Sequence, residues 1–291
     1  MDIIGKRYWF FIITGVVLVA CVIFLAVFGL KAGVEFSSGS VLTVGFNEKL
    51  DKQEIEDELT DLGYTNVIIQ TVGENDFLIR LPRLTSTEKN ELTDSLNQTF
   101  GSINIREFDD VDEMVASETT RTAAIAVAVA AVGILLYIAW AFRKMPHPFH
   151  YGICAIIALV HDTVVALGVF AVLGGLFGWE IDLKFVIGIL AVIGYSVNNT
   201  VVVFDRIREN LLTDSRSPFT TVVNNSLIET LTRSLNTSLT TLFVVLALMF
   251  FVGTVIQNFT VILLVGIIAG TYSSLFIAPS LLVSWRGNRQ G

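Results

Sequence analysis

Charge is scarce in this sequence. Only 16% of its 291 residues are Asp, Glu, Lys or Arg, against about 25% in a typical soluble domain. Positive charge is scarcer still, with 19 Lys and Arg against 27 Asp and Glu and a net charge of −8. A chain this acidic lacks the basic footprint that nucleic acid requires. Cysteine is nearly missing. Cys21 and Cys154 both lie in apolar runs, where a free thiol acts as a small apolar filler, so neither reports a redox compartment. No phosphate loop, nucleophile elbow or zinc-ligand spacing occurs. Soluble-type catalysis and nucleotide-driven work therefore have no carrier, no cofactor is implied, and nothing reads as an enzyme. The N-terminal apolar stretch is too long for a signal-peptide core and has no obvious small-residue cleavage site, so it reads as a retained span.

What the sequence does contain is apolar runs about as long as a bilayer is thick, in a chain that is 53% hydrophobic. Tyr8 to Leu30 is the first. Thr122 to Phe142 is the second, closed by Arg143 and Lys144. The others run from about Tyr151 to Leu176, Phe185 to Phe204, Leu235 to Val252 and Phe259 to Trp285. The fold class is a polytopic α-helical membrane protein with six transmembrane helices. Its expected organisation is residues 1–30 as N-terminus and first helix, 31–121 as an extracytoplasmic domain, 122–285 as helices two to six, and 286–291 as a tail. Lys6, Arg7, Arg143, Lys144, the Arg206–Arg216 stretch, Arg286 and Arg289 fall on one side of six spans, while the opposite short loops carry only Lys184. The positive-inside rule puts both termini in the cytoplasm and the acidic region, Glu35 to Glu118, outside.

That outer region has its own pattern. Val41 to Phe46 reads as a strand, and Asp51 to Leu62 as a helix with Ile55, Leu59 and Leu62 on one face. Val67 to Val72 and Phe77 to Leu81 are strands around the turn signal Gly73-Glu74-Asn75-Asp76. Thr85 and Glu88 form a capping box for a helix ending near Phe100. Ile103 to Phe108 is the last strand. The order β-α-β-β-α-β is that of a ferredoxin-like α+β domain inserted between the first two spans. The fold hosts many functions, and a binding or regulatory module without catalysis is the plain reading.

Polar residues at membrane depth are the candidates for function. Asn198 and Asn199 sit in the fourth span just before the cluster Asp205, Arg206, Arg208 and Glu209, which reads as solvated interfacial ion pairs. Amides in hydrocarbon are costly without partners. Asp162 lies about eleven residues into the third span, near mid-bilayer at ~1.5 Å per residue. A charged Asp there costs about 2.5–3.5 kcal/mol on insertion scales. It is either a proton-accepting carboxyl or a neutral one hydrogen-bonded between helices. His161 precedes it, so on a helix the two side chains diverge by about 100°. Arg233, Asn236, Thr237 and Thr240 share one face of the fifth span. Arg233 either snorkels to the headgroups or faces the interior beside Asn199. Gly188 with Gly194, and Gly266 with Gly270, permit close helix contact.

The run IGYSVNNTVVVFDRIREN from Ile193 to Asn210, followed by LTRSLNTSLTTL from Leu231 to Leu242, closely resembles the SecF family of preprotein translocase subunits. GVEFSSGS after the first span and HDTVVALGVF from His161 to Phe170 also fit, and the resemblance covers nearly the whole chain. It implies pairing with SecD in a pseudo-symmetric unit similar to resistance-nodulation-division exporters, in the bacterial cytoplasmic membrane. It further implies association with the SecYEG channel, and release of preproteins by the proton gradient after SecA has driven their entry. The family usually shows Asn-Asp-Thr where this chain has Asn198-Asn199-Thr200, and the position of Asn199 is its proton-coupled carboxylate. Its partner arginine matches Arg233. The resemblance thus points to a coupling site of Asn199 and Arg233, supported by Asn198, Thr200, Asn236 and Thr237. An amide takes up no proton near neutral pH. Three explanations of Asn199 stay open: an introduced change that freezes one state, a relay carried by Asp162 or by SecD carboxylates, or a homologue without proton coupling. Sodium in place of protons also suits carboxyl and hydroxyl oxygens. Half of a small-molecule or lipid exporter and a non-transporting translocase scaffold are the competing readings.

Overall fold

The computed structural model describes residues 2–65, 67–72, 75–143, 148–214, 216–252 and 256–287. Gly73 and Glu74 of the expected turn, Lys144, and residues 288–291 with Arg289 lie outside the described residues.

Residues 31–125 form one compact unit together with 173–183. It begins with the short helix α2 (Val34–Ser37) and strand β1 (Gly39–Phe46). Then come α3 (Lys52–Asp61), β2 (Ile68–Thr71), β3 (Asp76–Leu81), α4 (Ser86–Phe100) and β4 (Ile103–Val111). The sheet order is β2-β3-β1-β4, with each neighbouring pair antiparallel. This is the ferredoxin-like split β-α-β arrangement expected from the pattern. Alternation on the strands turns Leu42, Val44, Ile79 and Leu81 to the core, where Ile55 and Leu59 of α3 and Leu92 and Leu96 of α4 meet them. The capping box is present: Glu88 accepts the Thr85 backbone N–H at 2.7 Å, and these hydrogen bonds hold its carboxyl below the usual value.

The glycines of GVEFSSGS have specific work. Gly39 has φ +124°, and a Cβ there would stand 2.9 Å from the Leu81 carbonyl. Gly33 donates its N–H to the Ile181 carbonyl at 2.8 Å, where a Cβ would come within 2.9 Å of the same oxygen. Ile181 returns a bond to the Lys31 carbonyl at 2.8 Å. Arg80 of β3 completes this clamp. Its Nη1 donates to the Ala32 carbonyl at 2.8 Å and to Glu180 Oε1 at 2.6 Å, and its Nη2 donates to Ser37 Oγ. Gln70 donates to the Gly178 carbonyl. Burial pushes the Glu180 carboxyl up, and Arg80 opposes that push.

The membrane bundle holds α1 (Arg7–Phe28), α5 (Glu113–Ala141), α6 (Pro148–Phe177), α7 (Leu183–Thr213) and α8 (Phe219–Val252). Its sixth span is α9 (Gln257–Tyr272), a π-helical segment (Ser273–Ile277) and α10 (Ala278–Gly287). Among the described residues, six helices are thus long and apolar enough to cross a membrane. Several are longer than their apolar runs. α8 starts at Phe219 and α7 continues to Thr213, because polar, charged residues extend a helix beyond lipid as readily as they end it.

About half of α6, of α7 and of the sixth span is buried, whereas α1, α5 and α8 are largely uncovered. Small residues set the spacing of α7 and α9. A Cβ on Gly188 would strike Ile262, one on Gly266 would strike Val192, and one on Gly270 would stand 3.0 Å from Ser196 Cβ. This is parallel packing with one contact per turn. Gly194 departs from the expectation, since nothing lies within 4 Å of its added Cβ. Cys21 faces Gly168, whose missing Cβ makes room for it.

Two outcomes follow from this packing. Gly266→Ala overpacks the α7–α9 contact and lowers stability by about 1–3 kcal/mol, whereas Gly194→Ala stays within about 0.5 kcal/mol; thermal unfolding of the purified chain separates them. Because the Glu180 carboxyl is raised in the folded state, docking of residues 173–183 is firmest below the ordinary carboxylate value. It loosens as pH rises through the raised value. Exchange of the Gly33 and Ile181 amides, corrected for intrinsic rate, reports this, and Glu180→Gln flattens the dependence.

Candidate functional site

Asp162 lies midway along the 30 residues of α6 and is fully buried. Its Oδ2 accepts the hydroxyl of Ser273, the first residue of the π segment, at 2.8 Å, and also the hydroxyl of Ser196 on α7. Its Oδ1 lies 2.9 Å from His161 Nδ1. The divergence expected for adjacent helical residues is therefore overcome. Nδ1 is the ring nitrogen next to the Cβ branch, so it reaches the neighbouring carboxyl while the rest of the ring points elsewhere. Three helical segments are tied to one carboxyl, and a π turn is a common companion of functional sites.

Asn199 and Thr200 lie on the buried face of α7, one turn beyond Ser196. Thr200 Oγ1 donates to the Ser196 carbonyl at 3.1 Å. Asn199 Nδ2 is buried and has no hydrogen-bond partner among the described residues. On α8, Ser234 Oγ is in the same condition. The helices run antiparallel, with Tyr195 donating to Ser238 at 2.8 Å and Asn210 donating to Ser226 at 2.9 Å. Between those two bridges, Asn199 and Ser234 come to the same level.

The remaining predicted residues face the other way. Asn198, Arg233, Asn236 and Thr237 are exposed. Thr237 Oγ1 donates to the Arg233 carbonyl at 3.0 Å, an intrahelical bond that quiets its hydroxyl without covering the face. Arg233 makes no side-chain hydrogen bond or ion pair among the described residues, and no bond joins it to Asn199. It lines a cavity of about 670 Å³ with Val201, Val202, Asp205 and Arg208. The structure thus separates an inward set, Asp162, Asn199 and Thr200, from an outward set, Asn198, Arg233, Asn236 and Thr237.

At the end of α7 the charged cluster bridges helices. Arg206 pairs with Glu209 at 2.6 Å and with Glu229 of α8 at 2.6 Å, and Asn210 donates to Glu229 at 2.8 Å. Asp205 and Arg208 pair within α7 at 3.3 Å. Sequence reasoning missed Ser196, Ser273 and Glu229. The first two carry a signal in retrospect, being small hydroxyl residues on apolar helices at membrane depth.

Fold and site together define a multi-pass helical membrane protein with a small α+β domain after its first span and a buried carboxyl hub in its bundle. Residues 91–288 match the family model for protein export membrane protein SecD/SecF, C-terminal. The chain is 43% identical to protein translocase subunit SecF of Thermobaculum terrenum, over 98% of this chain and 94% of that protein. It is 39% identical to the SecF of Anaerolinea thermophila, over 98% and 94%. The crystal structure of SecDF, a translocon-associated membrane protein from Thermus thermophilus, superposes with a TM-score of 0.90 at 29% identity. That match covers 99% of this chain, which spans 39% of the longer one. The chain belongs to the SecD/SecF family of protein export membrane proteins.

The hub predicts a graded response. Asp162→Ala leaves the Ser196 and Ser273 hydroxyls and His161 without their shared acceptor, at a cost of about 1–3 kcal/mol for each group left unsatisfied. Asp162→Asn keeps an acceptor oxygen and loses less. Thermal unfolding in lipid nanodiscs orders the two variants, and equal losses would contradict the hub.

Proposed function

We propose that this chain is an accessory subunit of Sec protein export that works with a SecD partner and uses the proton motive force to promote late translocation and release of preproteins. The observation that carries the reading is the uncovered polar face of α7 and α8. Asn198, Arg233, Asn236, Thr237 and Thr240 are exposed on helices otherwise dressed for lipid. Hydrocarbon gives such groups no partners, so a second bundle covers them. The matched SecDF is one longer chain of which this one spans 39%, which fits a SecD-like remainder beside it.

On this reading the α7–α8 face is the coupling site. Asn199 and Thr200 stand behind it and Arg233 in front, with Asn198, Asn236 and Thr237 along the seam. The partner's groups meet Arg233, which forms no ion pair among the described residues. The role is mechanical and non-enzymatic. The assembly lies in the bacterial cytoplasmic membrane beside SecYEG, and its preproteins have been driven in by SecA. The distribution of Lys and Arg supports cytoplasmic termini and an extracytoplasmic domain over residues 31–121.

Inverted vesicles holding this chain, its SecD partner and the channel test the reading. Precursor release is compared with and without a proton gradient, for the parent and for Asn199→Asp. The parent is expected to respond to the gradient. A response confined to the Asp form marks the parent as decoupled. Asn199 also favours a non-transporting scaffold, which predicts binding to the translocase and no response from the parent.

A further inference from the structure

Among the described residues, Asp162 is the one carboxyl that is fully buried in the membrane bundle. Its surroundings differ on its two sides. Toward α1 and α9, His161 and Tyr272 border a groove of about 410 Å³ whose other lining is almost wholly apolar, including Ile13, Val17, Val165 and Val265. His161 closes this side, with its ring 6.2 Å from that of Tyr272, whose hydroxyl bonds toward Thr14 and the Phe10 carbonyl of α1.

The other side is polar. Ser196 and Ser273 touch Oδ2, and one turn along α7 comes Asn199, level with Ser234. Asn199 Nδ2 and Ser234 Oγ are the two buried polar atoms there without a partner among the described residues. Leaving such atoms dry is costly, and a polar pair of this kind takes up bound water. Val201, Val202 and Arg233, the neighbours of this level on α7 and α8, line the 670 Å³ cavity. The lining of that cavity reaches Val201, Val202 and Arg233 and stops short of Asn199 and Ser234, which lie between it and the level of Ser196 in the chain's helical order.

We propose that Asp162 is the proton-binding carboxyl of this bundle, and that protons reach it from the α7–α8 cavity through water bound at the level of Asn199 and Ser234. The inference rests on the gradient-coupled reading and assigns the proton to a residue that can carry it. Around Asp162, α6 contributes His161, α9 contributes Tyr272, the π segment contributes Ser273, and α7 contributes Ser196 and Asn199. From α8 comes Ser234, while Arg233 faces outward. His161 Nδ1 stands 2.9 Å from the carboxyl, and Arg143, Asp205, Arg208 and Arg233 line the cavity from which the proton comes. A hydrated proton passes to the carboxylate and leaves neutral water and a neutral acid. Ser273 then has an alternative acceptor in reach, the Gly270 carbonyl at 3.3 Å. A neutral acid accepts the Ser273 hydroxyl more weakly than a carboxylate does, which loosens the π segment from α6 and converts a proton into a movement of the sixth span.

The test uses the full chain with its partner in liposomes. A hydrophobic carbodiimide modifies protonated carboxyls in apolar surroundings, and peptide mass analysis locates the adduct. The expected result is an adduct on Asp162 that increases as the medium is acidified. With Ser234→Val, which dries the path, proton entry driven by an imposed potential slows several-fold while the adduct persists. An Asp162 that stays unmodified at every pH overturns the proposal. An adduct independent of pH also overturns it, because it describes a permanently neutral structural carboxyl. Unchanged proton entry in Ser234→Val overturns the route. If the parent shows a pH-dependent adduct but no gradient-driven precursor release, the coupling reading fails and the assignment of the proton site stands.

Discussion

A carboxyl with no contact to solvent needs its partners inside the protein, and in this bundle that requirement fixes the packing. Asp162 draws hydroxyls from α7 and the π segment and the imidazole of its own neighbour. To deliver Ser196, α7 must lie against α6, and the glycines at 188, 266 and 270 let it lie against α9 as well. To deliver Ser273, the sixth span departs from α-helical register at that residue. The small residues and the π turn thus accompany the hydrogen bonds of one buried acid.

The same physics applied outward distinguishes the faces of the bundle. α8 is largely uncovered, and its exposed face carries Arg233, Asn236, Thr237 and Thr240. α1 and α5 are as uncovered but present apolar side chains such as Val16, Val19, Val129 and Leu136. Those two faces suit lipid, while the α8 face suits protein. One bundle therefore has an inward polar set centred on Asp162 and an outward one centred on Arg233, separated by the thickness of the α7–α8 pair. In the function proposed above, the inner set takes the proton and the outer set meets the partner.

Local signals are legible in this sequence, and non-local ones are not. Thr85 and Glu88 are three residues apart, and their capping box forms as the spacing says. The alternation in the outer strands determines the sheet face, so the ferredoxin-like order follows. Helix ends were misplaced where hydropathy ends before the helix does, as at Phe219 and Thr213. Asp162 was conspicuous because of its cost, yet its hydroxyl partners lie 34 and 111 residues away. Ser196 and Ser273 look like ordinary small residues in apolar runs until the helices are assembled. Gly194 shows the converse error, since spacing alone made it a contact residue and the structure leaves it open. The clamp of Arg80 on Glu180 could not be read at all, because no local pattern links a strand residue to a loop 100 positions later.

The central claim is that a proton bound in this bundle drives movement used in export. Its most direct test is precursor release from energised inverted vesicles, comparing the parent with Asp162→Asn after both are shown to assemble with the partner and channel. The account predicts that the gradient accelerates release in the parent and that Asp162→Asn releases at the unenergised rate. Equal acceleration in both would contradict it, and would place the proton elsewhere than on the one buried carboxyl described in this chain.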